Sequence, residues 1–299
     1  MAATFDSSAP FGAVLTAMVT PFHKDGAIDI DSAVNLAKHL VDQGNDGLVL
    51  NGTTGEAPTT HAPEKFELVQ AVAEAVGDRA AILAGAGSND TRHAVRMAEQ
   101  AAEAGAHGIL AVTPYYSRPS QAGLAAHMEA IADATDLPVM LYDIPGRSGV
   151  RIATPTYERL AAHKNITSVK DATGDVGTAA VNMAATDLVW YSGDDGLFLP
   201  FLSLGAVGIV SVVSHVATPT LVEISTAFAA GRHQDAIAAA HRLLPIIEAI
   251  MGSGAGVVMV KAALVELGLI PTDTLRLPQV GASEAEIAVV TSALKRFGL

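Results

Sequence analysis

A chain of 299 residues, half of them hydrophobic, is long enough for one large domain or two ordinary ones. Its net charge of −13 offers no basic block to neutralise phosphates or anionic headgroups, which sets aside nucleic acid and membrane surfaces as partners. The absence of cysteine removes disulfides, thiolate zinc sites and thiol nucleophiles and suits a reducing cytoplasm. Charged residues make up only 16%, so much of the surface must be hidden in a core or in subunit contacts, which favours an oligomer. The opening stretch MAATFDSSAPFG has no basic region followed by an apolar run, so no secretory leader is expected.

In chain order, the first strand is expected in AVLTAMVT (13–20). A helix follows in DSAVNLAKHLVDQG, opening on Asp31 and closing at Gly44. A second strand, DGLVLNG (46–52), precedes the helix APEKFELVQAVAEAVG, with Pro63 in its first turn and Gly77 at its end. The strand AAILAGA (80–86) leads to the helix DTRHAVRMAEQAAEAG, closing at Gly105. Further strands are HGILAVT (107–113), PVMLYD (138–143), ITSVKD (166–171), LVWYSG (188–193) and VGIVSVV (207–213). They are continuously apolar rather than alternating, as strands of a parallel sheet buried on both faces must be. The uncharged run Leu197–Ser214 imitates a membrane span, but Pro200, Gly205 and Gly208 divide it into a short helix and a buried strand.

Eight strand–helix units predict an α/β fold, a (β/α)₈ TIM barrel spanning 11–229, followed by a C-terminal helical region over 230–299. An open doubly wound sheet is the alternative, but no G-x-G-x-x-G follows the first strand.

In a barrel of this kind, chemistry belongs at the C-terminal strand ends. There the sequence places Thr53 and Thr54 in NGTTGE, Tyr115 and Tyr116 in TPYYSRP, Tyr142 and Arg147 in LYDIPGRSG, and Lys170 in ITSVKD. Each has a plain reading: turn threonines, packing tyrosines, a surface arginine, a lysine where a strand meets water. AGAGSND (84–90) reads as a turn rather than a phosphate cradle. Asp194 and Asp195 read as a helix N-cap rather than a metal site.

Together, however, an amine, hydroxyls of graded acidity and a guanidinium on one rim suit carbonyl chemistry through an imine. The amine must be neutral to attack, so its pKa must fall from about 10.4 toward 7–8, about 3.4 kcal/mol of destabilisation of the charged form. A barrel interior lined by Ile166 and Val169 is expected to supply this by desolvation. Tyrosine and threonine pass protons without adding charge, and Arg147 can grip a carboxylate.

The motifs GTTGEAPT, TPYYSRPSQAG, LYDIPGRSG, VKDATGD and YSGDD, with AMVTPF before and RLPQV after them, resemble the dihydrodipicolinate (4-hydroxy-tetrahydrodipicolinate) synthase family. That family lies within the pyruvate-dependent class I aldolases that include N-acetylneuraminate lyase. The resemblance implies a lyase of lysine and diaminopimelate biosynthesis that condenses pyruvate with L-aspartate-4-semialdehyde. It further implies that Lys170 forms the Schiff base with pyruvate, with no separate cofactor and no metal. Thr53, Tyr142 and Tyr116 match a proton relay, Tyr116 reaching into a neighbouring subunit's site. Thr54 matches the group that holds the pyruvate carboxylate, and Arg147 the binder of the semialdehyde carboxylate. Val210 matches a backbone carbonyl beside the imine. The implied assembly is a homotetramer, a dimer of dimers, in the cytoplasm.

Some positions depart from the family pattern. Ala57 stands where many relatives have serine, and Asp143 where many have asparagine. At the effector site of lysine-sensitive relatives, Asn89 and Tyr115 are retained, but Lys65 replaces a histidine and His93 a glutamate. A cation facing an ammonium repels it, so weak or absent inhibition by lysine is expected. Two rival readings remain: a sibling aldolase acting on 2-keto-3-deoxy sugar acids or N-acetylneuraminate, and a non-catalytic barrel that binds a small oxo acid.

Overall fold

The structure, a computed structural model, describes residues 8–252 and 255–299, so most of the stretch read for a leader lies outside it. Eight parallel strands close into a barrel in sequence order, β1 (Val14–Ala17) pairing with both β2 (Gly47–Leu50) and β8 (Gly208–Ser211). Between them run β3 (Ala81–Gly85), β4 (Gly108–Val112), β5 (Val139–Asp143), β6 (Ile166–Asp171) and β7 (Val189–Ser192). Closure leaves no strand edge in need of cover.

The helices form the outer ring: α1 (Ile30–Asp42), α2 (Ala62–Val76), α3 (Thr91–Glu103) and α4 (Gln121–Asp133), then the single turn α5 (Pro145–Ser148). After it come α6 (Thr154–Ala161), α7 (Val176–Ala185), α8 (Phe198–Leu204) and α9 (Ser214–Ala229). The first helix begins earlier than its sequence suggests. Asp29, not Asp31, is the cap, its carboxylate accepting from the Ser32 amide at 2.9 Å. The run Leu197–Ser214 splits, as expected, into α8 and β8, and among the described residues no single helix is long and apolar enough to cross a membrane.

Side chains alternate along each strand, so the barrel builds two apolar layers. The inner one fills the lumen with Leu15, Val49, Leu83, Met140, Tyr191 and Val210. The outer one lies between strands and helices and continues without a break into the C-terminal helices α10 (His233–Met251), α11 (Gly256–Glu266) and α12 (Glu284–Phe297), through Leu243, Val260 and Leu294. The C-terminal region therefore has no core of its own. It is welded to the barrel, and two of its side chains, Lys261 and Arg276, reach the segment that follows β2.

Candidate active site

Lys170 faces the lumen because β6 carries one extra residue. Val139 pairs with Ile166 but the next residue, Met140, pairs with Ser168, leaving Thr167 without a partner. The bulge turns Ile166 out into the helix-facing layer, where Val169 also lies, and directs the other side of the strand inward. The expected apolar lining by Ile166 and Val169 is thus wrong. Desolvation comes instead from the lumen layer, Met140, Tyr191 and Val210 among it.

Lys170 is 5% exposed, and its Nζ lies 4.4 Å from the centroid of the Tyr142 ring on the neighbouring strand. Burial pulls its pKa down to about 8; Asp195 opposes this and Arg147 reinforces it. Its stem needs the absence of a side chain at Gly193. A Cβ there would meet Lys170 Cγ at 3.0 Å and both Ala172 Cβ and the Asp171 carbonyl at 2.9 Å.

Tyr142 is buried, which raises its phenol pKa, against a hydrogen bond from Thr53 and the charge of Arg147. The phenol therefore stays protonated over the working range and can deliver a proton as well as accept one. Thr53 occupies the turn after β2, between Asn51 and Glu56, both at positive φ, 54° and 56°. Arg147 reaches the rim from α5, which Pro145 opens and Gly149, at φ 78°, closes.

Thr53, Tyr142 and Arg147 line one cavity of about 430 Å³ together with Lys65, His93 and Tyr115. No carboxylate is among the residues lining it. Lys170 lies beneath the Tyr142 ring rather than on the cavity wall, and Val210 is in the lumen layer on β8. Thr54 is buried in the same turn as Thr53 but off the lining. Tyr116 is not brought in at all: it is 91% exposed and lies outside the cavity.

Asp194 is the cap expected of it, accepting from the Gly196 amide at 2.9 Å. Asp195 is not a cap. It is buried and accepts from the Ser211 hydroxyl and from the Val212 and Val213 amides, at 3.2 and 3.4 Å. Burial pushes its pKa up to about 6, and it is the carboxylate that acts on Lys170. Nothing in the spacing of SGDD marks it, since its partners arrive from the next strand. Asp143, one residue beyond Tyr142, faces the opposite layer. It accepts from the Ile152 amide at 3.0 Å and the Tyr157 hydroxyl at 3.1 Å, and burial lifts it to about 7.

Residues 10–297 match the model of the dihydrodipicolinate synthetase family. The chain is 55% identical over 286 residues to 4-hydroxy-tetrahydrodipicolinate synthase 2 of Streptomyces coelicolor, covering 96% of this chain and 95% of that one. Among solved structures, the dihydrodipicolinate synthase of Cyanidioschyzon merolae, solved with lysine bound, superposes with a TM-score of 0.94 at 40% identity, over 97% of this chain and 99% of that one. A variant described as the first monomeric dihydrodipicolinate synthase gives 0.93 at 34%, over 99% and 100%. A barrel carrying the same motifs over nearly its whole length is not a chance likeness: this chain belongs to the dihydrodipicolinate synthetase family.

Proposed function

We propose that the protein is a 4-hydroxy-tetrahydrodipicolinate synthase that joins pyruvate to L-aspartate-4-semialdehyde through an imine on Lys170. The observation that carries this reading is a lysine, buried at a barrel mouth, with its pKa at about 8 and a buried tyrosine ring 4.4 Å from its Nζ.

Neutral Lys170 attacks C2 of pyruvate, and the carbinolamine loses water to give the imine. A proton leaves C3, the enamine carbon attacks the aldehyde, and the new alkoxide takes up a proton. The substrate's own amine then attacks the imine carbon, closes the ring and returns Lys170. The protons move between neutral oxygens, which suits Thr53 and Tyr142, neighbours on one cavity wall. Arg147, at the rim of a cavity lined by no carboxylate, suits the carboxylate of the incoming semialdehyde. Thr54 and the Val210 carbonyl are assigned to the pyruvate carboxylate and the imine. Tyr116, exposed on one chain, is assigned to the site of a second copy, within a homotetramer built as a dimer of dimers.

Incubation with pyruvate, borohydride reduction and digestion test the assignment. The expected adduct is on Lys170 and disappears in Lys170→Ala. Reduction that leaves Lys170 unlabelled in the folded protein overturns it. Turnover of aspartate semialdehyde, rather than of a sugar-acid aldehyde, then separates the synthase from its sibling aldolases.

A further inference from the structure

The C-terminal region touches the segment after β2 through Lys261 and Arg276. Lys261 on α11 is 0% exposed, and its Nζ donates to Glu56 Oε1 at 2.5 Å and to the Thr274 carbonyl at 2.8 Å. The Phe22 ring lies beneath it, 4.3 Å from Nζ to centroid. The second oxygen of Glu56 accepts from the Arg276 amide at 3.0 Å. The Arg276 guanidinium also lies over Phe22, at 4.6 Å, and donates to the Gly26 and Thr59 carbonyls and to both oxygens of Glu64.

A fully buried Lys261–Glu56 pair beside a partly buried Arg276–Glu64 pair is a poor way to gain stability, since well-packed apolar residues of similar volume hold a fold as well or better. What they do provide is position. Glu56 is gripped at both oxygens by groups more than 200 residues away in sequence. Its backbone is at φ 56°, a left-handed conformation that a residue with a side chain adopts only when its surroundings impose it. Two links lead from there to the chemistry. The Glu56 amide donates to the Thr53 carbonyl at 3.1 Å, and Thr53 shares the cavity wall with Tyr142, close enough to hold the phenol's pKa down. Glu56, Lys261 and Arg276 themselves do not line the cavity.

We propose that Glu56, Lys261 and Arg276 form a positioning clamp by which the C-terminal region holds the Thr53–Thr54 turn against Tyr142. The inference rests on the reading of Thr53 and Tyr142 as groups serving an imine on Lys170. The clamp residues touch neither substrate nor reacting atoms and act only through the turn.

A double-mutant cycle tests it: kcat for Lys261→Met, Thr53→Val and the double variant, each with its thermal midpoint. Lys261→Met is expected to lower kcat by about ten- to a hundredfold, the effect of misplacing a catalytic group by an ångström. In the Thr53→Val background the same substitution is expected to lower kcat by less than about threefold, because the group it positions is already gone. Losses that multiply, or a Lys261→Met enzyme within about twofold of the parent, overturn the clamp. Should Lys261→Met not fold, Glu56→Gln keeps the shape and removes the ion pair, and its cycle with Thr53→Val is read in the same way. Borohydride trapping at saturating pyruvate is run alongside. An adduct on Lys170 in parent and variants is expected, since Lys170 is on β6, away from the clamp. No adduct in the parent removes the reading on which the clamp depends, a failure distinct from a cycle that is additive.

Discussion

The charge on Lys170 is balanced between an apolar lumen and two side chains of opposite sign. With its pKa at about 8, about one molecule in ten carries a neutral amine at pH 7, against about one in three thousand at the ordinary value of 10.5. Asp195 holds the pKa up and Arg147 pushes it down, so the two substitutions must move it in opposite directions. Asp195 titrates at about 6 and is ionised where Lys170 loses its proton. Asp195→Asn therefore lowers the Lys170 pKa, and the pH midpoint of pyruvate trapping at limiting pyruvate falls by about one unit. Arg147→Gln raises that midpoint. The rate climbs with pH through each midpoint because only the deprotonated amine attacks. A midpoint that rises in Asp195→Asn would overturn this account of the charge. Lys170 and Tyr142 were legible in the sequence as a lysine and a tyrosine at the ends of apolar strands. Asp195 was not, because the two amides and the hydroxyl it accepts from belong to β8 and the residues after it.

At the level of the element, β6 shows where a sequence pattern stops short. ITSVKD is apolar enough to be recognised as a strand, and its bounds came out as read. Which of its faces turns inward could not be read, since a run buried on both sides has no alternation to follow. The extra residue, Thr167, decided it, and bulges leave no mark when both neighbours are β-branched or small. The same holds for Gly193: YSGDD looks like a turn, whereas the glycine is required by the stem of Lys170 on the adjacent strand. Gly193→Ala puts a methyl group within 3.0 Å of Lys170 Cγ and 2.9 Å of the Asp171 carbonyl, neither of which is the free end of a flexible chain. The expected result is a loss of about 1–3 kcal/mol in stability from overpacking, with trapping by pyruvate slowed at least tenfold as the amine is displaced. Gly177→Ala on α7, where the nearest atom is 3.7 Å away, serves as the control and should leave both unchanged or improve stability slightly. Trapping at the parent rate in Gly193→Ala would show that the lysine stem tolerates the contact.

The whole molecule raises the question of what Tyr116 is for. An aromatic side chain 91% exposed gains nothing from burial, and its backbone is at φ 71°, which costs a tyrosine about 1–2 kcal/mol. Within one chain the return is one long backbone hydrogen bond, from the Tyr116 amide to the Ser148 carbonyl at 3.3 Å. A second copy offers more, if Tyr116 enters the neighbour's cavity, and a low charged fraction leaves surface to be covered. The contact would be reciprocal, as in any two-fold pair: each chain lends its tyrosine and receives one. Reciprocity makes the assignment testable without a structure of the assembly. Lys170→Ala and Tyr116→Phe chains are each expected to be nearly inactive alone. Mixed by co-expression, a hybrid pair has one site with an intact lysine from the Tyr116→Phe chain and an intact tyrosine from the Lys170→Ala chain. Random pairing then restores about a quarter of the parent rate. If Tyr116 acts within its own chain, no hybrid site holds both groups, and if it only packs, Tyr116→Phe is already active alone; in either case the mixture stays at the sum of its parts. Recovery of activity thus requires both an oligomer and a tyrosine that crosses it, and neither alone can produce the result.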